Sequence, residues 1–156
     1  MNSPQSDDKT TAENWRDPGG FMGHFDLERL ESGNGRAKHK MVVQERHLRM
    51  LGIMHGGVTA TLLDSVMGNA AWTVSKPDHH VVTVQMNLNY IRPVWEGETL
   101  FATGEVLHGG SQTLVTRGEV HNGDGTLIAT ATATFMQAPH PKGMQNIPRK
   151  SDDAKS

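Results

Sequence analysis

The segment His55-Gly56-Gly57, with Asp64 seven residues after the second glycine, carries the residue types best suited to chemistry in this chain. Glycines at a helix start let a bound molecule approach the free backbone N–H groups there, and those groups favour developing negative charge. An aspartate inside an otherwise apolar helix is a poor helix former and must lose water of hydration. Oxyanion donors and a positioned carboxylate are the groups needed to transfer an acyl group to water.

A helix over residues 56–75, about 30 Å long, is predicted to carry these groups. A rotation of about 100° per residue divides it into two faces. The broad apolar face is expected to pack on a sheet and contains Val58, Leu62, Leu63, Val66, Met67, Ala70 and Val74. The opposite face is small and nearly uncharged, so another backbone or a substrate can come close to it. It contains Gly57, Ala60, Thr61, Asp64, Gly68, Ala71 and Ser75.

The spacing along this helix has a consequence for assembly. Gly57 and Asp64 are seven residues apart, which corresponds to about 10 Å along the helix axis. One carbonyl group cannot contact both of them within a single chain. If the two residues act on the same carbonyl, a second subunit must supply one of them, and a two-fold interface then creates two equivalent sites.

Strand-like runs lie on both sides of the helix in the sequence. One is predicted over residues 36–48, after the turn at residues 32–35, and residues 21–30 fit either a short strand or a turn. Four more runs follow the helix, over residues 81–92, 98–107, 112–121 and 126–137. In the first of these, alternation assigns Val82, Val84, Met86, Leu88 and Tyr90 to one face, and Thr83, Gln85, Asn87 and Asn89 to the other. The order of strand, helix and antiparallel meander predicts an α+β domain with one sheet against one helix.

Composition limits the class of protein. The first 20 residues are polar and predicted to be disordered, one domain spans residues 21–138, and residues 139–156 form a flexible tail. With 15 Lys and Arg against 17 Asp and Glu, there is no basic field for nucleic acid. Cysteine is absent, which excludes a disulfide scaffold, a thiolate zinc site and a cysteine nucleophile. No apolar run suits a membrane span or a signal peptide, so we expect a soluble cytoplasmic protein.

Together these motifs resemble the hotdog-fold acyl-CoA thioesterases, and among them the phenylacetate-pathway and thioesterase-superfamily-member-2 type. The resemblance covers residues 21–137 and rests on His-Gly-Gly at 55–57, Thr-x-Thr-Leu-x-Asp at 59–64 and Val-Thr-Val-Gln-Met-Asn-Leu-Asn-Tyr at 82–90. It implies a hotdog fold, in which an antiparallel sheet of about five to six strands wraps a long central helix. It also implies an acyl- or aryl-CoA substrate, homodimers and dimers of dimers, and no cofactor or metal apart from the coenzyme A of the substrate.

The resemblance assigns roles to particular residues. In that family the glycine matching Gly57 donates its backbone N–H to the thioester carbonyl. The aspartate matching Asp64 comes from the partner subunit and acts as general base or nucleophile, and a hydroxyl matching Thr83 positions the attacking water. Gly56 and Thr61 are expected to border the substrate.

Two departures from the family pattern concern basic residues. Many relatives have an asparagine where this chain has Arg49, which is expected either to pair with Asp64 or to reach the ligand. Relatives also often carry a basic residue in the loop matching residues 109–112, and none is present here. The candidates to bind the coenzyme A phosphates are therefore Arg92, Lys142 and Arg149.

Several alternatives stay open at this point. His55 either shapes the loop by hydrogen bonding or exchanges protons, and Thr83 either positions water or serves only as a β-branched strand former. An acyl-thioester dehydratase or hydratase shares the architecture, although neither His-Phe-Pro nor Asp-x-Asn-Pro-x-His occurs here. A non-catalytic acyl-ligand-binding protein is the other alternative, since an Arg49–Asp64 pair would lower the basicity of the carboxylate.

Overall fold

The computed structural model describes residues 21–141, in which one α-helix packs against a six-stranded antiparallel sheet. The helix is α1 (Gly56–Trp72), and the strands are β1 (Glu28–Gly33), β2 (Arg36–Val42), β3 (His79–Tyr90), β4 (Thr99–Gly109), β5 (Thr113–Asn122) and β6 (Leu127–Pro139). Their order in the sheet is β1-β2-β4-β5-β6-β3. The predicted α+β class is confirmed. The segments predicted to be disordered lie outside the described residues, apart from 139–141 at the end of β6.

The boundaries differ from the sequence prediction mainly before α1. The run predicted as a strand over residues 36–48 ends as β2 at Val42, because residues 45–47 form a 3-10 turn. His47 Nδ1 stabilises this turn by accepting the Gln44 N–H at 3.0 Å. Residues 21–30 form a 3-10 turn (Phe21–His24) and then the start of β1. The four strands after α1 lie within two residues of their predicted limits.

The core lies between α1 and the sheet, and α1 contacts all six strands. Glycines in the central strands permit this close packing. A Cβ on Gly104 would lie 2.7 Å from the Val66 carbonyl oxygen, and one on Gly118 would lie 2.9 Å from Met67 Cγ. The helix backbone can therefore approach β4, and the Met67 side chain can pack on β5, only because these positions have no side chain. Across residues 21–141, no helix has the length and apolar character that crossing a membrane requires.

The predicted apolar face of the helix is confirmed over most of its length. Its members Leu62, Leu63, Val66, Met67 and Ala70 are fully buried.

The prediction is wrong at the C-terminal end of the helix. Val74 is 42% exposed, whereas Ala71 and Ser75, assigned to the small outer face, are buried. Because α1 ends at Trp72, Val74 and Ser75 no longer follow the helical rotation, whereas Ala71 still lies within α1, where the buried face is wider than predicted. The chain turns there as the Thr73 hydroxyl donates to the Ala70 carbonyl at 2.7 Å.

A β-bulge in β3 changes which side chains face α1. The pairing of β3 with β6 shifts at Val84, which is an extra residue without a counterpart on β6. Thr83 therefore lies on the helix-facing side together with Met86 and Leu88, which pack against the core. Val82 and Val84 are 38% and 59% exposed. The prediction of one continuous apolar face on this strand is wrong.

Candidate active site

The start of α1 is organised by His55, its N-cap residue. The His55 backbone is extended (φ −66°, ψ 134°), and its Nδ1 accepts the Gly57 N–H at 2.9 Å. A ring nitrogen that accepts a hydrogen bond carries no proton. The contact is consistent with the loop-shaping role considered for His55. It also occupies the Gly57 N–H, which the family pattern assigns to the substrate carbonyl.

The Gly56 N–H is the available donor at this helix start. Among the hydrogen bonds within residues 21–141, none uses it as a donor. The two carbonyl groups beside it already accept hydrogen bonds. The His55 carbonyl accepts the Val58 N–H at 2.9 Å, and the Gly56 carbonyl accepts the Tyr90 hydroxyl at 2.9 Å. The amide left for an oxyanion is therefore one residue before the expected Gly57, at the positive end of the helix dipole.

Asp64 lies half-buried in the middle of α1 and faces β3. Thr83 Oγ1 donates a hydrogen bond to Asp64 Oδ1 at 2.7 Å. Within residues 21–141, Asp64 has no ion pair, so Arg49 of the same chain does not neutralise it. The carboxylate is fixed through one oxygen by a neutral donor, and its other oxygen has no hydrogen-bond donor among residues 21–141.

The two halves of the candidate site are apart within one chain. α1 is continuous from Gly56 to Trp72, so Gly56 and Asp64 are separated by about 12 Å along the axis at 1.5 Å per residue. A carbonyl oxygen bound at the Gly56 N–H is therefore out of reach of a water held by Asp64 of the same helix. The same holds for Gly57 and Asp64, which the continuous helix keeps about 10 Å apart along its axis, as predicted from the sequence.

The remaining predicted residues lie on different parts of the chain. The Thr61 hydroxyl is half-buried and donates back to the Gly57 carbonyl at 2.9 Å, so its proton is already used. Arg49 is exposed just before the 3-10 turn at residues 50–52. Arg92 is also exposed, and one of its guanidinium nitrogens donates to the Leu127 carbonyl at 2.8 Å. Lys142 and Arg149 lie outside the described residues.

Tyr90 contacts the start of α1, whereas the sequence analysis placed it on the apolar face of the strand, where it could line an acyl slot. It is the last residue of β3, and its hydroxyl reaches the first residue of α1. The side chain is 58% exposed, which is unusual for an aromatic ring on the core side of a sheet. An alternation pattern alone predicts burial. Only the contact with Gly56 identifies a further role.

A second polar contact joins α1 to the opposite part of the sheet. His39 on β2 is 2% exposed, and its Nε2 lies 3.4 Å from Asn69 Oδ1 on α1. The pKa of His39 is lowered to about 4, chiefly by burial, while the hydrogen bond with Asn69 raises it and the charge of Arg29 lowers it. The sequence analysis missed this pair, although alternation with the buried Ala37 and Met41 places His39 on the inner face of β2.

A cavity of about 370 Å³ lies on the outer face of the sheet, away from the helix. Its lining includes Asn87 and Asn89 of β3 and Arg117 of β5. The two asparagines therefore face away from α1, in agreement with their predicted place on the polar side of β3. Neither Gly56 nor Asp64 contributes to this cavity. It is separate from the candidate site.

Comparison with known families adds an independent observation. A sequence model described as the thioesterase superfamily matches residues 51–129. This range begins just before His55 and contains Gly56, Asp64, Thr83 and Tyr90. The glycine start of α1, the carboxylate and both β3 hydroxyl groups are therefore inside the matched region, and Arg49 lies just before it.

Individual proteins are similar over a larger part of the chain. Human acyl-coenzyme A thioesterase 13 is 34% identical over 106 residues, which cover 67% of this chain and 75% of that protein. The solved structure of zebrafish thioesterase superfamily member 2 has a TM-score of 0.73 and 30% identity, covering 80% of this chain and 91% of that one. The structure of smu.793 from Streptococcus mutans UA159, bound to acetyl CoA, has a TM-score of 0.69 and 26% identity, covering 75% and 92%.

Proposed function

The chain belongs to the thioesterase superfamily, and from this premise we propose that it hydrolyses an acyl- or aryl-CoA thioester at a site shared by two copies of the chain. At the level of the family it is an acyl-CoA thioesterase, a thioester hydrolase. The observation that supports the detailed mechanism is the pair of groups on α1: a helix-terminal N–H without an acceptor and a carboxylate held by one hydrogen bond. Water and the thioester are the only reactants, and no cofactor takes part.

Gly56 supplies the oxyanion donor in this mechanism. Its N–H is unoccupied within the described residues and points out from the first turn of α1, where the helix dipole favours negative charge. The thioester carbonyl oxygen accepts this N–H, and the bond strengthens as charge develops on the oxygen. A second donor becomes available if the His55 ring turns away from the Gly57 N–H.

Asp64 activates the nucleophile. As a general base it takes a proton from water while the water oxygen bonds to the carbonyl carbon, and collapse of the intermediate then breaks the C–S bond. The coenzyme A thiolate leaves and is protonated, and the acid product remains. Direct attack by Asp64 on the carbonyl carbon is the other route, and it forms a mixed anhydride that water hydrolyses. Thr83 orients the carboxylate in both routes.

A homodimer brings the two groups together, and β3 is the edge at which we place the contact. β3 is at the end of the strand order, so its outer backbone groups have no partner strand within the described residues. It is 12 residues long and exposes Val82 and Val84. A long apolar edge of this kind favours pairing with another chain. A two-fold axis beside β3 sets Asp64 of each copy near the helix start of the other. Two such dimers then associate as a dimer of dimers.

Exposed cations near the helix start bind the coenzyme A phosphates in this proposal. Arg92 lies two residues after Tyr90, which contacts Gly56, and Arg49 lies six residues before His55. Both are exposed and have no carboxylate partner among the described residues.

The alternative of a non-catalytic ligand-binding protein depended on an ion pair between Arg49 and Asp64. No such pair is present among the described residues of one chain.

Thiol release from a panel of acyl-CoAs tests this function. The purified protein is assayed with aryl, short, medium and long acyl-CoAs, and the expected result is release of coenzyme A. Asp64→Asn should lose roughly 10²–10⁴-fold in kcat, the usual contribution of a general base. The matched control is Asp124→Asn, the same change at an exposed aspartate in the β5–β6 turn, which should keep the parental rate. Parental activity of Asp64→Asn, or hydration of crotonyl-CoA without thiol release, would refute the proposal.

A further inference from the structure

The two peptide groups on either side of the Gly56 Cα are both held in place. The His55–Gly56 peptide is fixed at its carbonyl, which accepts the Val58 N–H at 2.9 Å. The Gly56–Gly57 peptide is held at both ends, since its carbonyl accepts the Tyr90 hydroxyl at 2.9 Å and its N–H donates to His55 Nδ1 at 2.9 Å. Within residues 21–141, the one hydrogen-bonding group of these two peptides without a partner is the Gly56 N–H.

Of the residues that hold these two peptide groups, Tyr90 is the one that lies outside the helix and its N-cap. The ring also lies against the glycine itself, because a Cβ on Gly56 would be 3.2 Å from the Tyr90 Cε1, Cζ and Oη atoms. Contacts of that length are tighter than ordinary packing, so any larger residue at position 56 must displace the ring and its hydrogen bond. The ring and the glycine therefore fit each other as a pair.

The place of Tyr90 follows from the bulge in β3. The extra residue at Val84 shifts the alternation so that Met86, Leu88 and Tyr90 share the side of Thr83. Because of this bulge, two hydroxyl groups of β3 contact α1. The Thr83 hydroxyl donates to Asp64, and the Tyr90 hydroxyl donates to the Gly56 carbonyl. The ring stays 58% exposed, which removes little apolar area from water and leaves core packing as a minor part of its role.

We propose that Tyr90 is a positioning residue for hydrolysis: its hydroxyl and ring fix the first peptide of α1 so that the Gly56 N–H is aimed at the thioester oxygen. A donor held in advance costs no reorganisation when negative charge develops, which is the condition for effective oxyanion stabilisation. The inference rests on the proposed function, since it assigns Tyr90 a part in the same site. It does not require Tyr90 to touch the substrate.

Tyr90→Phe is the direct test, because it keeps the ring and removes only the hydroxyl. We expect kcat to fall about tenfold, less than the ~10²–10³-fold cost of losing an oxyanion donor itself, while KM stays within about twofold. The matched control is Thr116→Val, which removes another hydroxyl that donates to a backbone carbonyl, that of Ala133 at 3.2 Å in the core. The control should lower the melting temperature and keep the parental kcat.

Asp64→Asn is assayed beside these variants, so that the two proposals fail separately. If Asp64→Asn is inactive and Tyr90→Phe has the parental kcat, the positioning role is wrong and the proposed function stands. A rise in KM at constant kcat in Tyr90→Phe would likewise contradict the positioning role. If Asp64→Asn is fully active, the proposed function itself fails.

The NMR signal of the Gly56 amide, observed after glycine-selective ¹⁵N labelling, tests the positioning role without an activity assay. The Gly56 amide signal should shift in Tyr90→Phe, while the signals of Gly104 and Gly118, packed against the middle of α1, should not. An unchanged Gly56 signal would contradict the proposal.

Discussion

Thr83 donates a hydrogen bond from its Oγ1 to the Oδ1 of Asp64 at 2.7 Å, and so joins the edge strand β3 to the middle of α1. The contact exists because the bulge at Val84 places Thr83 on the helix-facing side. It fixes one oxygen of the carboxylate. The candidate base is thus held from the strand that ends the sheet among residues 21–141.

Replacement of Thr83 by valine tests this contact. Thr83→Val keeps the β-branched shape and removes the hydroxyl, so Asp64 loses its donor, and we expect kcat to fall by about tenfold as part of the ~10²–10⁴-fold effect of a general base. Thr83→Ser keeps the hydroxyl and should retain most of the activity. Steady-state rates of the two variants distinguish the roles. Equal rates for serine and valine would show that Thr83 is only a strand former.

A charge at the free edge of β3 tests the proposed dimer contact. Val84 is 59% exposed on this strand, and Val84→Lys would place a charge in the interface, which should dissociate the dimer and abolish hydrolysis. Leu107→Lys is the matched control, since Leu107 is 52% exposed on β4, a strand paired on both sides. Light scattering and thiol release are measured on both. A dimeric, active Val84→Lys would exclude this edge as the interface.

The pKa of His39 implies a particular dependence of stability on pH. Burial lowers this pKa from the ordinary 6.5 to about 4 in the folded chain. Between these two values the unfolded chain binds a proton that the folded chain does not, so the free energy of unfolding falls as the pH decreases through that window. The contribution of His39 at pH 5 is a loss of about 2 kcal/mol relative to pH 7.5, at 1.36 kcal/mol per pH unit.

His39→Gln removes this titration and keeps a polar side chain beside Asn69. We expect urea denaturation at pH 7.5 and pH 5 to show a smaller loss of stability in the variant than in the parent. The parent and variant share every other titrating group, so the difference between their pH dependences isolates His39. Identical pH dependence in the two proteins would contradict the buried, neutral state of this histidine.

The sequence predicted the parts of the fold that depend on regular periodicity. The helical rotation rule identified the buried face through Ala70, and strand alternation with turn residues located the four strands after α1. Both rules failed where the backbone is irregular. Val74, predicted to be buried, is exposed because α1 ends at Trp72. Thr83, predicted on the polar face of β3, faces α1 because of the bulge at Val84.

The candidate site was predictable in composition and not in detail. Asp64 stands out because a carboxylate in an apolar helix must lose water of hydration, which costs free energy. The glycine start of α1 stands out because the first N–H groups of a helix have no partner within the helix. Which amide is free depends on the rotamer of His55, which no residue pattern encodes. The contacts of Tyr90 with Gly56 and of His39 with Asn69 join residues more than 25 positions apart, so only the folded chain reveals them.

Subunit complementation tests most directly whether Gly56 of one chain acts with Asp64 of another. Gly56→Pro removes the amide hydrogen at the first helical position, where proline suits the helix backbone, and also displaces the Tyr90 ring, so it disables the donor half of the site in its own chain. Asp64→Asn removes the base. Each variant alone should be inactive. After the two are mixed, unfolded and refolded together in equal amounts, half of the dimers are hybrids with one intact site, so we expect about a quarter of the parental kcat per chain. Recovery near that level supports the shared site, whereas no recovery in confirmed hybrid dimers would contradict it.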